Sequence, residues 1–441
     1  MKELDLSVEI LNAVLDGTEF GTALKDKFQK EVEIRPLRHD VASLVGCALR
    51  HSILFTRLLD KVEGLEESDK RIVMIGMANN YFCRRYEKKD MDEAIKGLLG
   101  EEKLAIALPI LDKEGEENRY MPDDVDHSSL DYLSLRYNAP IWACKILHHF
   151  GYSNTFKTLK KWARPYVTYV RFRNLPELEE LRTSPDFAAT SIKDVYLYAG
   201  KKPLRVYEEY RRGKIFEVRP RVKELLDSHV ISAPSSALLY CGKLSGGAEL
   251  ELVEAYGDAL AMNIATSELD SKLALTRLIR ELGLHNVNLF QTTDPTAMDA
   301  SVPGKQQLVI CLPDSTAFDQ VPTSPDFLLH FDKDAMDGII SGEQKALEGC
   351  AKYVDDGGKL IYAILTISKK EGHLAVESFL QNHQEFTLVE EKQCFPYDEL
   401  GTAVYYAVLS RGAEVDKIPA PLGELSALKE MSSPCAAAKA E

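Results

Sequence analysis

No uninterrupted apolar run in this 441-residue sequence approaches the ~18 residues that a membrane-spanning helix needs, so no membrane partner is expected. The opening stretch, MKELDLSVEI, carries acidic residues where a secretory signal would have a basic start and an apolar core, and the expected location is cytoplasmic. Basic charge is in short supply: 54 Lys and Arg face 69 Asp and Glu, a formal net charge of −15. That balance argues against indiscriminate attachment of the whole molecule to nucleic acid or anionic lipid, and leaves the question to local charge. The eight cysteines (Cys47, Cys83, Cys144, Cys241, Cys311, Cys350, Cys394, Cys435) include no CxxC pair, and several sit within apolar runs. They are expected to be structural thiols, with no metal site. With 45% apolar and 28% charged residues, the chain is long enough for two or three domains with substantial cores.

From Leu6 to about Gly100 the apolar residues recur at helical spacing. Leu37, Val41, Leu44, Val45, Ala48, Leu49, Ile53, Leu54 and Leu58 form one stripe, and Ile72, Val73, Ile75, Met77 and Tyr81 form a second. An all-helical domain is expected over 1–113, followed by an acidic, Pro-containing linker over 114–129. The region 130–223 opens with the helical stretch SLDYLSLRYNAPIWACKILHHFG and passes into shorter strand-like pieces such as YVTYVRF and DVYLYAG.

Within this region the charge changes sign. Between Asn154 and Lys223 there are 17 Lys and Arg against 8 Asp and Glu, a local +9 that leaves −24 elsewhere. Lys157, Lys160, Lys161, Arg164, Arg171, Arg173, Lys201, Lys202, Arg211 and Arg212 are interleaved with Trp162, Tyr166, Tyr169, Phe172 and Tyr207. Cations for phosphates beside aromatic faces for unstacked bases are what an RNA-binding surface needs; a salt-bridged face beside a few core aromatics is the alternative. The residues 224–411 alternate strands (ALLYCG, DALAMNIAT, NVNLFQTT, QLVICLP, GKLIYAILT) with helices, and end in a hairpin-like pair, TLVEEKQCF and TAVYYAVLS. A mainly parallel, doubly wound sheet is expected, with ligands at the carboxyl ends of its strands. The Ala-, Pro- and Ser-rich residues 412–441 are expected to be a disordered tail.

The order of these regions, with several phrases inside them, resembles the RsmB (Sun/Fmu) family of ribosomal RNA cytosine-5 methyltransferases. LSLRYNAPIWACKILHHFG is similar to that family's LxxRYxxPxWLxxxWxxxYG, VRFRN to TLRVN, TSPDFLLHF to RxPDxKW, and GGKLIYAILTISKKEG to GGxLVYSTCTIxxEEN. The resemblance implies a multidomain α and α/β chain. Its parts would be an all-helical NusB-like domain, a small α+β RNA-binding module and a Rossmann-like class I methyltransferase domain using S-adenosylmethionine. It also implies two cysteines, one to attack carbon 6 of cytosine and one to help release the methylated product. A thiolate is needed because covalent addition makes the ring nucleophilic.

Here both places have changed. The Thr-Cys of the family's strand end falls on Ile364 and Leu365, and the cysteine of LDAPCSG falls on Asp314 within ICLPDST. Cys311, three residues upstream in an apolar strand, is the remaining candidate thiol. The cofactor phrase VLDLCAAPGGKT falls on LLYCGKLSGGAE, which keeps Gly246 and Gly247 but has Tyr240 at the acidic position and Ala248 at the lysine. Two adjacent glycines after a strand also make an ordinary turn. The acidic positions expected after the second and third strands fall on Ser267 and Thr293, with Glu268 and Asp294 one residue on. The expectation is an RNA-binding relative, its RNA ribosomal, that has lost catalysis. The alternatives are an active S-adenosylmethionine-dependent rRNA methyltransferase, and a protein-interaction module working through its NusB-like domain.

Overall fold

A computed structural model describes residues 1–112, 120–164, 166–229, 236–243 and 247–412. Gly246, the first part of the expected linker and all but the first residue of the expected tail lie outside the described residues. The apolar stripe from Leu37 to Leu58 is divided between a helical stretch, Val32–Arg50, whose α-helical part is Arg38–Arg50, and helix Ser52–Leu59, the two bent by 68°. Val41, Leu44, Val45, Ala48 and Leu49 of the first are fully buried. The bend is held from a distance by Asn138. Its Oδ1 accepts from the Ile53 N–H at 2.9 Å and the Ser52 hydroxyl at 3.2 Å, while its Nδ2 donates to the Leu49 carbonyl at 2.7 Å. The second stripe lies on helix Glu67–Met77, which opens with a capping box between Glu66 and Asp69.

Residues 120–129, within the expected linker, pack against this helical body. Tyr120 is buried and stacks on Tyr81 at 4.1 Å, and Asp124 pairs with Arg57 and Lys61 at 3.1 Å each. Helices Leu130–Tyr137, Ile141–His148 and Tyr152–Trp162 bury Leu133, Cys144 and Leu159 in the same apolar core as the N-terminal helices. That core also takes in Phe318, Leu328, Ile367 and Ala403 from segments beyond residue 236.

Two sheets follow. The smaller is antiparallel, in the order β2-β3-β1-β4, with β1 Tyr169–Phe172, β2 Phe187–Ala189, β3 Val195–Tyr198 and β4 Ile215–Glu217. It has its own core of Val170, Phe172, Leu178, Phe187, Leu204 and Ile215. The larger has seven strands: β5 Ser236–Cys241, β6 Ala261–Thr266, β7 Val287–Gln291, β8 Gln306–Leu312, β9 Val354–Ile364, β10 Phe386–Cys394 and β11 Val404–Arg411. Their order is β10-β11-β9-β8-β5-β6-β7. Neighbours among β5 to β9 pair in parallel, and β11 runs antiparallel to both β9 and β10, so the final hairpin closes one edge. This is the expected Rossmann-like, mostly parallel sheet. Apolar cores lie on both faces, which is why β5, β8 and β9 read as continuous apolar runs rather than alternating ones. Among the described residues no single helix is long and apolar enough to cross a membrane.

Candidate functional site

Strand order reverses direction at β5, which has β6 on one side and β8 on the other, and ligands in such sheets lie outside the carboxyl ends at that reversal. There the two strand ends are tied together. Gly242 N–H donates to the Leu312 carbonyl at 2.8 Å, and Lys243 N–H donates to Asp314 Oδ1 at 2.6 Å. A Cβ at Gly242 would stand 2.5 Å from both the amide nitrogen and Oδ1 of Asp314, so only glycine permits this approach. Beside it opens a cleft of about 590 Å3 lined by Tyr240, Thr293, Asp294, Pro295, Thr296, Pro313, Asp314, Ile339, Gly342 and Lys345. The Asp294 carboxyl accepts from the Thr296 hydroxyl at 2.6 Å and N–H at 2.9 Å, and these bonds hold it below the usual carboxylate range.

Thr293 and Asp294 therefore reach the cleft, whereas Ser267, Glu268 and Gly247 serve the fold. Ser267 and Glu268 close the end of β6: the Ser267 N–H donates to the Cys241 carbonyl at 3.2 Å, and Glu268 begins helix Leu269–Leu282. Gly247 begins helix Ala248–Tyr256 at φ 88°, and a Cβ there would stand 3.2 Å from the Glu217 carbonyl oxygen on β4. Its small size lets the start of this helix lie close against the end of β4.

No described thiol stands at either family cysteine position. Leu365 is 3% exposed, packed among Ile361, Ala363 and Val404, and its carbonyl accepts from the Asp319 N–H at 3.4 Å. Cys311 is fully buried inside β8 beside Cys350, and burial pushes its thiol well above the ordinary range, so it is held neutral away from solvent. Behind Asp314 lies a polar network that the substitution pattern did not single out. Glu371 accepts from Thr316 N–H at 2.8 Å and from the Thr316 hydroxyl at 2.9 Å, and Thr316 Oγ1 lies 2.6 Å from Thr366 Oγ1. Glu343, also fully buried, has its pKa pushed up to about 11 by burial and by the charge of Glu371. It keeps its proton in the folded chain. Glu343 was legible as an acid on the stripe that Ala346, Leu347 and Cys350 bury on helix Met336–Ala351.

The ten basic candidates separate into two groups. Arg171 and Arg173 are 7% and 8% exposed and do not face solvent. They pair with Glu251 at 3.2 Å and Glu254 at 2.8 Å, pinning β1 to helix Ala248–Tyr256. Arg212 pairs with Glu208 at 2.5 Å. Lys157, Lys160, Arg164, Lys201, Lys202 and Arg211 are exposed and Lys161 is half-buried, and among the described residues none of these seven has a carboxylate partner. The aromatic residues are less available than their spacing suggests: Trp162 and Phe172 are core residues, and the Tyr166 hydroxyl accepts from Arg219, itself paired to Asp319 at 2.7 Å. The exposed cations at 157–164, 201 and 202 flank one stretch of chain, whereas Arg211 precedes β4, whose Ile215 pairs with Phe172 at the opposite end of β1. Helix Tyr152–Trp162 runs into residues 163–168, and Tyr198 N–H donates to the Thr168 carbonyl at 2.9 Å, which brings the turn bearing Lys201 and Lys202 to the same end of β1.

No protein-family model matches the sequence. Ribosomal RNA small subunit methyltransferase B of Erwinia tasmaniensis is 32% identical over 74 residues, which span 15% of this chain and only 17% of that protein. Among solved structures, PH0851 is similar over 93% of this chain and 98% of its own, with a TM-score of 0.68 at 15% identity. A methyltransferase homolog protein from Pyrococcus horikoshii is similar over 65% of this chain and all of its own, with a TM-score of 0.54 at 13% identity. NSun6 from the same organism, solved with SFG, covers 66% of this chain and 99% of its own, with a TM-score of 0.52 at 11% identity. These identities make the structural likeness one of fold. The similarity to a ribosomal RNA small subunit methyltransferase B is thus local in sequence, and the solved structures share the fold.

Proposed function

We propose that this chain binds structured RNA, ribosomal RNA being the class its relatives suggest, and that it does not carry out thiolate-dependent methylation of cytosine. The observation that carries the RNA reading is the group of cations without carboxylate partners around residues 157–164 and at 201 and 202, on a chain of net charge −15. Unneutralised lysines and arginines on an otherwise acidic molecule are the groups that displace counterions from a phosphate backbone. The loss of cytosine chemistry rests on Leu365 and Asp314, since neither side chain can add to a pyrimidine and leave as a thiolate does. S-adenosylmethionine would sit in the cleft beside β5, where the available residues do not fit its amino-acid end. The Lys243 N–H is already taken by Asp314, and Tyr240 stands where a carboxylate is expected.

The test is a filter-binding titration of rRNA fragments against the full chain and a charge-reversed variant, Lys157→Glu/Lys160→Glu/Lys201→Glu/Lys202→Glu. The reading requires salt-dependent binding that the variant loses by at least tenfold. Equal affinity of the two proteins would contradict it, and methyl transfer to cytosine C5 would contradict the loss of catalysis.

A further inference from the structure

We propose that a single-stranded segment of RNA crosses the end of helix Tyr152–Trp162 and lays a backbone phosphate on Arg50, so that the N-terminal helical body holds the RNA together with the basic region. The inference rests on the RNA reading and extends it to a residue outside 154–223. A second cleft, of about 90 Å3, opens where three helices end: Arg50 closes Arg38–Arg50, Tyr137 closes Leu130–Tyr137 and Trp162 closes Tyr152–Trp162. Pro322, Pro325 and Leu328 complete its wall. This volume is well below the roughly 300 Å3 at which sites for free small molecules begin, so it suits one phosphate or one ring of a longer molecule lying across it.

The charged groups among its described lining are Arg50 and Arg136. Arg136 lies against two tyrosine rings, 5.6 Å from that of Tyr132 and 5.7 Å from that of Tyr137. Arg50 is exposed and has no carboxylate partner among the described residues; its Nη1 donates to the Gly46 carbonyl of its own helix at 3.4 Å. His51 beside it stacks on Phe82 at 3.6 Å and is neutral, its pKa pushed down to about 4 by burial and by the Arg50 charge. A cation at a helix end is ordinary, because it complements the helix dipole. An exposed one lining a cleft without a described carboxylate is also available to a phosphate.

The decisive feature is continuity with the exposed cations. Trp162 and Ala163, which line the cleft, stand in the chain between Lys160 and Lys161 on one side and Arg164 on the other. A smaller hollow shares Trp162 and Pro322 with the cleft and is lined by Lys161, Tyr166 and Tyr169. There the Tyr169 hydroxyl and Lys161 Nζ both approach Gly401, 3.5 and 3.8 Å from where a Cβ would stand. Cations beside aromatic side chains along a narrow track are what holds an unpaired strand, and neither hollow admits a duplex.

Filter binding of rRNA fragments to the full chain and to Arg50→Glu tests it. The variant should bind about fivefold or more weakly at low salt, with a slope of log affinity against log salt shallower by about 0.7, the contribution of one single-strand phosphate. Arg50→Gln takes its place if thermal melting shows Arg50→Glu to be unfolded. A second measurement reads the cleft itself. The chain has two tryptophans, so Trp142→Phe leaves Trp162 as the remaining one, and a phenyl ring keeps the stacking partner that Phe331 has at 5.3 Å. Trp162 fluorescence in that protein should change as the rRNA fragments saturate it, and should not follow polyglutamate of matched charge. Equal affinity of the natural chain and the Arg50 variant, or Trp162 emission that ignores RNA or responds equally to polyglutamate, would overturn the inference. If the variant reversed at Lys157, Lys160, Lys201 and Lys202 loses affinity in the same series, the RNA reading stands without it. Absence of RNA binding by the natural chain would overturn both.

Discussion

Glu343 and Glu371 form a buried acid pair behind the loop that carries Asp314, and its protonation has a direct consequence for stability. The folded chain holds the Glu343 proton up to a pKa of about 11, whereas an unfolded glutamate releases it near 4.5. Glu371, raised by burial and lowered again by the Thr316 hydrogen bonds, faces it, with the charge of Asp314 nearby. The unfolded state therefore binds fewer protons across this interval, and stability contributed by the pair declines as pH rises from 4.5 toward 11. Glu343→Gln keeps the size of the side chain without the ionisation. Melting temperatures across pH 5 to 9 should fall less steeply for the variant than for the natural protein, and parallel curves would contradict this account of the pair. At Leu365 the expected change is larger. Truncation to alanine within that packed cluster should cost about 2–5 kcal/mol, measured by denaturant unfolding. That neither Leu365 nor Asp314 offers a thiol was legible from single residues. The pairing of Asp314 with the Lys243 amide was not, since it depends on how close Gly242 comes to it across the sheet.

At the scale of elements, β1 and helix Ala248–Tyr256 are joined by Arg171–Glu251 and Arg173–Glu254. Removing one partner of a buried pair leaves an uncompensated charge, so Arg173→Ala should lower stability by about 3–5 kcal/mol. The double variant Arg173→Met/Glu254→Met should recover most of that loss in the same unfolding experiment, and a loss no smaller than that of the single variant would show that the pair is not the cause. These two arginines were read as part of an RNA surface because their spacing on VRFRN cannot reveal that a distant helix brings Glu251 and Glu254 against them. The parallel strands were legible for the opposite reason: sheets covered on both faces write long apolar runs into the chain. The break at His51 left no local mark, because the side chain that holds it, Asn138, belongs to a helix end far along the sequence. Asn138→Ala, which strips partners from the Ile53 N–H and the Leu49 carbonyl, should cost about 1–3 kcal/mol in the same assay.

For the whole molecule the question is how an acidic chain presents a basic face. The local +9 between Asn154 and Lys223 was legible from composition, but half of its meaning lies in the pairing. Arg171, Arg173, Arg219 and Lys223 spend their charge on carboxylates that hold the two sheets and their loops together. Among the described residues, Lys157, Lys160, Arg164, Lys201 and Lys202 are among those that face solvent without a carboxylate partner. The measurement that tests the central claim most directly is the salt dependence of RNA binding, compared between the natural chain and the variant reversed at Lys157, Lys160, Lys201 and Lys202. The account predicts a linear fall of log affinity with log salt for the natural chain, and a slope shallower by about 0.7 for each single-strand phosphate that the variant no longer neutralises. Identical slopes, or no binding by the natural chain at low salt, would contradict it.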